Sequence, residues 1–181
     1  MRVIAGKYRR RQLKEVGLDS TRSTKDRVKE TMFSMLGPLE SYTAALDLFA
    51  GSGALGIEAL SRGVTHATFV EKQPQAFLVM KENINALSIL NATQHKDDAL
   101  MFLRTTTATF DVIILDPPYT AGMLDEALEL IAKKNLLQPH GIMVSLTHKS
   151  TDIRIPEGFT LKKDRRVGIT NITFYEWSEQ A

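Results

Sequence analysis

The chain has 181 residues, of which 43% are hydrophobic and 24% are charged, a balance typical of one globular domain with a buried core. It contains no cysteine, which excludes disulfides and thiolate chemistry, and its four histidines show no metal-ligand spacing. No apolar run approaches the ~20 residues that span a bilayer, and the N-terminus lacks the apolar segment of a secretory signal. We therefore expect a cytoplasmic, monomeric protein without a metal or a membrane partner.

The net charge of +2 is unevenly spread along the chain. Residues 1–30 hold ten Lys and Arg against four Asp and Glu, a local charge of +6, whereas the other 151 residues together carry −4. A basic segment on a slightly acidic body favours a polyanionic partner. The alternative is a solvated, disordered tail. A folded β-hairpin is favoured because apolar residues lie between the charges, namely Val3, Ile4, Tyr8 and Leu13.

After this hairpin the chain reads as one helix, followed by strands and helices in alternation. Predicted helices span 23–36, 54–63, 73–90, 98–105 and 123–137, and predicted strands span 44–50, 65–71, 92–97, 110–116, 141–148, 158–167 and 170–177. The pattern predicts a doubly wound α/β fold whose sheet is mostly parallel and ends in an antiparallel pair. We divide the chain into a basic extension, residues 1–40, and an α/β domain, residues 41–181. Ligands of such folds bind at the carboxyl ends of the strands.

The stretch LDLFAGSGALGIEAL carries the pattern G-x-G-x-x-G at Gly51, Gly53 and Gly56, between a predicted strand and a predicted helix. Glycines allow a ligand to approach the backbone closely. The next strand ends at Glu71, 20 residues after Gly51, where a carboxylate can accept hydrogen bonds from both ribose hydroxyls of a nucleoside. A tight turn without a ligand is the alternative. The loop, its context and the acid together favour a nucleoside cofactor.

The glycine loop alone would also permit NAD, but its surroundings favour S-adenosylmethionine. Asp47 lies four residues before Gly51 in an apolar strand, and a carboxylate there suits an ammonium group better than a pyrophosphate. S-adenosylmethionine has an ammonium group and no phosphate. Asp98, after the third strand of this domain, could accept a hydrogen bond from the adenine amino group. Asp97 competes for that role, and either acid could instead cap the following helix.

The strongest predicted strand ends in the tetrapeptide Asp116-Pro117-Pro118-Tyr119. An exocyclic amine of a nucleobase is a poor nucleophile because its lone pair is delocalised, and two acceptors aimed at its hydrogens would favour attack on a methyl-sulfonium. The Asp116 carboxylate and the Pro117 carbonyl offer two such acceptors, which the prolines hold in place. Tyr119 offers a ring on which an extruded base can stack. A structural turn is the alternative.

These residues resemble the S-adenosylmethionine-dependent N-methyltransferases in which the cofactor loop precedes D-P-P-Y. The stretches RVIAGKYRRRQL, TRSTKDRVKETMFSML and ITNITFYEW narrow the resemblance to the RsmD family of bacterial 16S rRNA guanine-N2 methyltransferases, over nearly the whole chain. The resemblance implies a Rossmann-like sheet of seven strands. It also implies methyl transfer to the 2-amino group of one guanine in 16S rRNA, within an assembled or assembling small ribosomal subunit.

The resemblance assigns roles to residues by position in this sequence. The catalytic residues are Asp116, Pro117, Pro118 and Tyr119. The cofactor residues are Thr24, Asp47, Phe49, Ala50, Gly51, Ser52, Gly53, Glu71, Lys72, Asp98 and Ala99. Of the substrate residues, the resemblance assigns Arg22 and Arg27, near the target base. Independently of the resemblance, the basic residues themselves predict phosphate contacts at Arg9, Arg10, Arg11 and Lys14, with a second basic patch at Lys162, Lys163, Arg165 and Arg166. Family members often have a glycine where this chain has Arg10.

Four other hypotheses stay open. A DNA or other RNA amino-methyltransferase would use the same tetrapeptide, although sequence-specific DNA readout generally requires an added element. A protein glutamine methyltransferase would more naturally carry Asn at position 116. An NAD-dependent oxidoreductase would leave the tetrapeptide unexplained. A non-catalytic RNA-binding module would account for the basic extension but for neither of the two motifs.

Overall fold

The computed structural model describes residues 1–17, 22–120 and 122–179, with the backbone alone for residues 22–24. The helices are α1 (Arg22–Leu36), α2 (Ala54–Ser61), α3 (Pro74–Ala86), α4 (Ala99–Thr105) and α5 (Met123–Lys133). The strands are β1 (Ala44–Asp47), β2 (His66–Val70), β3 (Ala92–His95), β4 (Phe110–Leu115), β5 (Leu137–His148), β6 (Phe159–Val167) and β7 (Thr170–Trp177). As far as the described residues go, no helix combines the length and apolar composition needed to cross a membrane.

The seven strands form one sheet in the order β3-β2-β1-β4-β5-β7-β6. Strands β1 to β5 pair in parallel, and β7 is antiparallel to both of its neighbours, β5 and β6. The predicted doubly wound, mostly parallel sheet with an antiparallel C-terminal strand is therefore confirmed. The order of the strands reverses between the neighbours β1 and β4. A crevice for a ligand is expected at the carboxyl ends of these two strands.

Helices and the N-terminal extension cover the two faces of the sheet. On one face, Val3, Leu13 and Met32 are buried in the same apolar cluster as residues of β1, β4 and β5. On the other face, Leu103 of α4 and Leu128 of α5 are buried in a second cluster. The described parts of residues 1–40 thus pack directly against the sheet, and Val3, Leu13 and Met32 belong to the same core as β1, β4 and β5.

Residues 1–17 form a hairpin-like arm that is joined by one antiparallel bridge, between Arg2 and Gln12. A backbone hydrogen bond also runs from the Val3 N–H to the Arg11 carbonyl at 2.9 Å. The predicted hairpin is therefore present, with a single bridge instead of two continuous strands. Arg10 adopts a φ of 69°, in the left-handed region that favours glycine. This conformation explains why a glycine suits the position.

A buried carboxylate on α2 anchors the arm. Glu58 accepts hydrogen bonds from the N–H groups of Ile4 at 2.9 Å and Ala5 at 3.1 Å. Lys29 of α1 reaches Glu58 at 3.2 Å and also donates to the carbonyl of Arg2. Burial lowers the pKa of Lys29 from its usual value, against the attraction of Glu58. This ion pair fastens the arm to α1 and α2 in the interior.

Candidate active site

The glycine loop turns from β1 into α2 with two left-handed residues. Gly51 has a φ of 55° and Gly53 a φ of 82°. A Cβ placed on Gly51 would meet no atom within 4 Å, so the backbone there faces open space. At Gly56, by contrast, a Cβ would lie 2.3 Å from the ring of Phe69. The first glycine therefore leaves room for a ligand, and the third lets α2 pack closely on β2.

Asp47 ends β1 below the loop and is 1% exposed. Its Oδ2 accepts a hydrogen bond from the Gly56 N–H at 2.8 Å, whereas its buried Oδ1 has no partner among the described residues. Burial raises the pKa of Asp47 to about 7, against the Gly56 hydrogen bond and with a contribution from nearby Asp116. A buried carboxylate oxygen without a partner fits an ammonium group of a ligand.

Glu71 directly follows β2, and its carboxylate holds the glycine loop against the end of that strand. Its Oε2 accepts from the Gly51 N–H at 2.7 Å, and its Oε1 accepts from the Gln73 N–H at 2.8 Å. Each carboxylate oxygen has a further acceptor site. Glu71 can therefore support the loop and still accept hydrogen bonds from the two hydroxyls of a ribose.

Asp98 is the N-cap of α4, which is the alternative role that the sequence left open. Its Oδ1 accepts from the N–H groups of Leu100 at 3.0 Å and Met101 at 3.1 Å, and its Oδ2 lies 3.5 Å from Nζ of Lys72. The Met101 hydrogen bond is the main cause that lowers the pKa of Asp98. Asp97 accepts from the Asp98 N–H at 2.8 Å. An adenine contact of Asp98 stays a prediction.

The tetrapeptide follows β4 directly, so Asp116 stands at the carboxyl edge of the sheet. Asp116 is exposed to solvent, and protein atoms crowd the rest of its side chain. This crowding raises the pKa of Asp116 to about 6, and the positive charge of Lys25 opposes the rise. A carboxyl group with a pKa of about 6 is mostly ionised at pH 7.

The remaining three residues of the tetrapeptide differ in their contacts. The Pro118 carbonyl accepts from the Thr120 N–H at 2.6 Å, whereas the Pro117 carbonyl accepts no hydrogen bond from the described residues. Tyr119 is 77% exposed, and its ring meets that of His148 edge-on, with centroids 5.8 Å apart. An available carbonyl and an open ring thus stand beside Asp116.

Two pockets meet at the tetrapeptide. The loop pocket has a volume of about 540 Å³ and is lined by Phe49, Ala50, Gly51, Ser52, Asp116 and Tyr119, with residues of α1 and the arm. The proline pocket has a volume of about 390 Å³ and includes Pro117, Pro118, Asp125 and Asp152 in its lining. Tyr119, Leu146 and Thr147 line both pockets. Both volumes fall within the usual range for small-molecule sites.

Other predicted cofactor residues lie outside the lining of the loop pocket. Lys72, which follows β2, is exposed. Ala99, the first residue of α4, is buried near the carboxyl end of β3. The side chains of Thr24 and Arg22 lie outside the described residues. Arg27 is exposed on α1. Asp47, Gly53 and Glu71 are not part of the lining either, although Asp47 and Glu71 bond to the glycine loop, so the pocket itself gathers residues 49–52 with Asp116 and Tyr119.

The predicted RNA-binding arginines do not line the crevice. Arg9, Arg10 and Arg11 are exposed at the tip of the arm. Beside them, the Tyr8 N–H bonds to Oγ of Ser61 at 2.9 Å, at the C-terminal end of α2. The loop pocket lies at the other end of this eight-residue helix, roughly 12 Å away. The tip and the crevice are thus separated by the length of α2.

The other predicted cations make protein contacts. Lys14 pairs with Glu82 at 2.6 Å, and Lys162 pairs with Glu176 at 2.8 Å, each on the surface. Lys163 donates to the carbonyl of Met35. Arg165 and Arg166 are exposed on the edge strand β6.

Several residues at the crevice were not predicted from the sequence. The base of the arm contributes Met1 and Glu15 to the loop pocket, and β5 contributes Leu146 and Thr147 to both pockets. The pocket residues of β5 could have been found, because the carboxyl end of a strand beside β4 must reach the same edge. Nothing in the sequence indicated that the base of the arm would line the loop pocket.

This fold and site define a Rossmann-like methyltransferase. Precorrin-6y C5,15-methyltransferase from Geobacter metallireducens shares the fold, with a TM-score of 0.69 at 17% identity over 91% of this chain and 95% of that one. The yhhF protein of Escherichia coli is more similar, with a TM-score of 0.87 and 30% identity over 99% of each chain.

The sequence comparisons narrow the class to a family. The family model described as "Conserved hypothetical protein 95" matches residues 1–176. Ribosomal RNA small subunit methyltransferase D of Haemophilus influenzae is 36% identical, over 97% of this chain and 93% of the relative. The chain therefore belongs to the ribosomal RNA small subunit methyltransferase D family.

Proposed function

We propose that the protein transfers a methyl group from S-adenosylmethionine to the 2-amino group of a guanine in 16S rRNA. One observation carries the proposal. The Asp116 carboxylate and the available Pro117 carbonyl stand beside the exposed ring of Tyr119, where the loop pocket and the proline pocket meet. Two acceptors beside a stacking platform suit a planar base that carries an amine.

The residues around the loop pocket fit S-adenosylmethionine. The unpartnered Oδ1 of Asp47 suits the ammonium group, the open space at Gly51 admits the ligand to the backbone, and Glu71 suits the ribose. When bound, this cofactor supplies an electrophilic methyl group on a sulfonium. We place the adenine near Asp98 and Lys72, at the carboxyl ends of β2 and β3.

The tetrapeptide makes the amine reactive by holding it. The two hydrogens of the amine point to the Asp116 carboxylate and the Pro117 carbonyl, which favours the tetrahedral nitrogen that must form. Methyl transfer would exchange the C–S bond of the sulfonium for a new N–C bond and leave a neutral thioether. The Asp116 carboxylate would stabilise the positive charge that develops on the nitrogen and take the proton that the nitrogen sheds. The two prolines fix the backbone, so the acceptors need little reorganisation during the reaction.

Ribosomal RNA is proposed as the substrate because of the names of the relatives and the placement of charge. The exposed Arg9, Arg10 and Arg11 lie roughly one helix length of 12 Å from the crevice, which suits phosphates of a large folded RNA. We therefore propose the small ribosomal subunit, assembled or assembling, as the substrate. The enzyme would then act in the cytoplasm, as a monomer.

The proposal is tested by methyl transfer from labelled S-adenosylmethionine. Small subunits from a strain that lacks this gene are compared with naked 16S rRNA, duplex DNA and total protein. Label recovered as N2-methylguanine from subunits or 16S rRNA supports the proposal. Label in DNA or protein alone would keep the chemistry of the tetrapeptide and overturn the substrate. Label in none of them would contradict the proposal.

A further inference from the structure

A buried hydroxyl on β5 has no hydrogen-bond partner within the described part of the chain. Thr147 of β5 is 4% exposed, and its Oγ1 finds no partner among the residues that the structure describes. Two residues earlier on the same face of β5, the buried hydroxyl of Ser145 lies 2.8 Å from that of Tyr175. Buried polar groups are nearly always paired. The unpartnered hydroxyl of Thr147 therefore points to a partner that arrives with a ligand.

The register of the sheet places Thr147 next to the proposed acceptors. Leu115, the last residue of β4, pairs with Ser145 of β5. Continuing this register for two residues beyond the end of β4 would set Thr147 opposite Pro117. Thr147 also lines both pockets, as Tyr119 does. A base stacked on Tyr119 would bring its ring edge to this hydroxyl.

The charge of the proline pocket indicates that the base of a nucleotide, and not its phosphate, would enter it. Its lining contains two carboxylates, those of Asp125 and Asp152, and no Lys or Arg among the described residues. Two carboxylates repel a phosphate, whereas hydroxyls and proline rings accept a flat, neutral base. The group that reaches Thr147 is therefore a base edge.

We propose that Thr147 positions the target base, with its hydroxyl accepting a hydrogen bond from the ring N1–H of guanine. This inference rests on the proposed function and deepens it. Asp116 and Pro117 bind only the amine, which adenine and cytosine also carry. Guanine alone has a ring N–H next to the carbon that bears the amine. A third contact at that point fixes the orientation of the ring against the two acceptors and gives the buried hydroxyl of Thr147 a partner.

The test compares three variants with the wild-type protein on small subunits. Thr147→Val keeps the shape of the side chain and removes the hydroxyl, and Thr147→Ser keeps the hydroxyl. Thr173→Val is the control for loss of a buried hydroxyl away from the site, since Thr173 is also 4% exposed, bonds to Tyr175 and lies on β7 outside both pocket linings. Each variant is measured for kcat/KM, for cofactor affinity by calorimetry and for Tm.

We expect Thr147→Val to lower kcat/KM by about tenfold, the loss of one neutral hydrogen bond. Its cofactor affinity should stay at the wild-type level, and its Tm should not fall, because no protein hydrogen bond is broken. Thr147→Ser and Thr173→Val should keep wild-type kcat/KM. An unchanged kcat/KM for Thr147→Val, or a loss that follows Tm or cofactor affinity, would overturn the inference. A wild-type protein that methylates no guanine would overturn the proposed function, and this inference with it.

Discussion

The carboxyl edge of the sheet and the tip of the arm both carry residues predicted for function, but they are built differently. At the sheet edge, Asp47 is buried and Glu71 is bonded to the Gly51 N–H at 2.7 Å. At the tip, the arginines are exposed, and the contact of Arg11 with the Ala86 carbonyl is 3.3 Å long. At the sheet edge, protein contacts hold the side chains of Asp47 and Glu71 themselves, whereas at the tip hydrogen bonds hold the backbone and the arginine side chains are exposed.

The difference follows from what each region has to do. Acceptors for a reacting amine work best when they are fixed before the reaction. Phosphate contacts act through summed charge, so they need neither burial nor fixed geometry. Single changes at the sheet edge should therefore have large effects, whereas changes at the tip should have small, graded effects that depend on salt. The predictions below test this contrast, starting with the largest effect.

The largest effect is expected at Asp116. Asp116→Ala removes one of the two proposed acceptors, so kcat should fall by about 10²-fold to 10³-fold, while cofactor affinity changes little. Both quantities can be measured with subunits and by calorimetry. Asp164→Ala, at an exposed acid on β6, is the matched control and should retain activity. Wild-type turnover in the Asp116 variant would remove the basis of the proposed mechanism.

The second effect concerns stability and the attachment of the arm. Glu58→Gln leaves Lys29 buried without its carboxylate, which should cost about 3 kcal/mol of unfolding free energy. The double variant Lys29→Met with Glu58→Gln should cost less, because no unpaired charge then remains inside. Urea unfolding measures both. Equal losses in the single and double variants would mean that the buried charge is not what sets the cost.

The third effect is a pH dependence of cofactor binding. Since the pKa of Asp47 is raised to about 7, the ionised form that pairs with an ammonium group becomes common only as the pH rises through that value. Cofactor affinity should therefore increase about eightfold from pH 6 to pH 7.5, and Asp47→Asn should abolish the increase. Without cofactor, the unfolding free energy should fall as the pH rises from 4 to 7, because Asp47 ionises less readily in the folded protein than in the unfolded chain. An increase that persists in Asp47→Asn would assign it to another group.

The smallest effect is expected at the tip of the arm. Arg10→Ala with Arg11→Ala should raise KM for subunits and leave kcat nearly unchanged. If both arginines contact phosphates, the slope of log affinity against log salt should flatten by about 1 to 2 units. The double variant Arg165→Ala with Arg166→Ala, at an exposed pair on β6, measures in the same way what the second basic patch contributes. A slope unchanged in the first pair would move RNA binding away from the tip.

Much of the fold followed from the sequence because its signals are local. Alternating apolar strands and helices predicted the doubly wound sheet, and the sheet edge then followed from the rule that parallel strands end together. Asp47, Gly51 and Asp116 reach one edge for this reason. Their burial and free acceptor atoms could not be predicted, because these depend on what packs around them.

Contacts between segments that are distant along the chain could not be predicted from the sequence. Lys29 and Glu58 look like solvated charges on two helices, yet they meet in the interior because the arm covers them. Thr147 looks like any strand threonine, and only the missing partner of its hydroxyl sets it apart. The position of Arg10 far from the crevice depends on how the arm crosses α2, which no local pattern specifies.

The most direct test of the central claim is a crystal structure with S-adenosylhomocysteine and a guanine-containing RNA fragment bound. The account predicts that the guanine stacks on Tyr119, with its 2-amino nitrogen within about 3.2 Å of both the Asp116 carboxylate and the Pro117 carbonyl. A guanine whose amine contacts neither acceptor, or which binds away from Tyr119, would contradict the account.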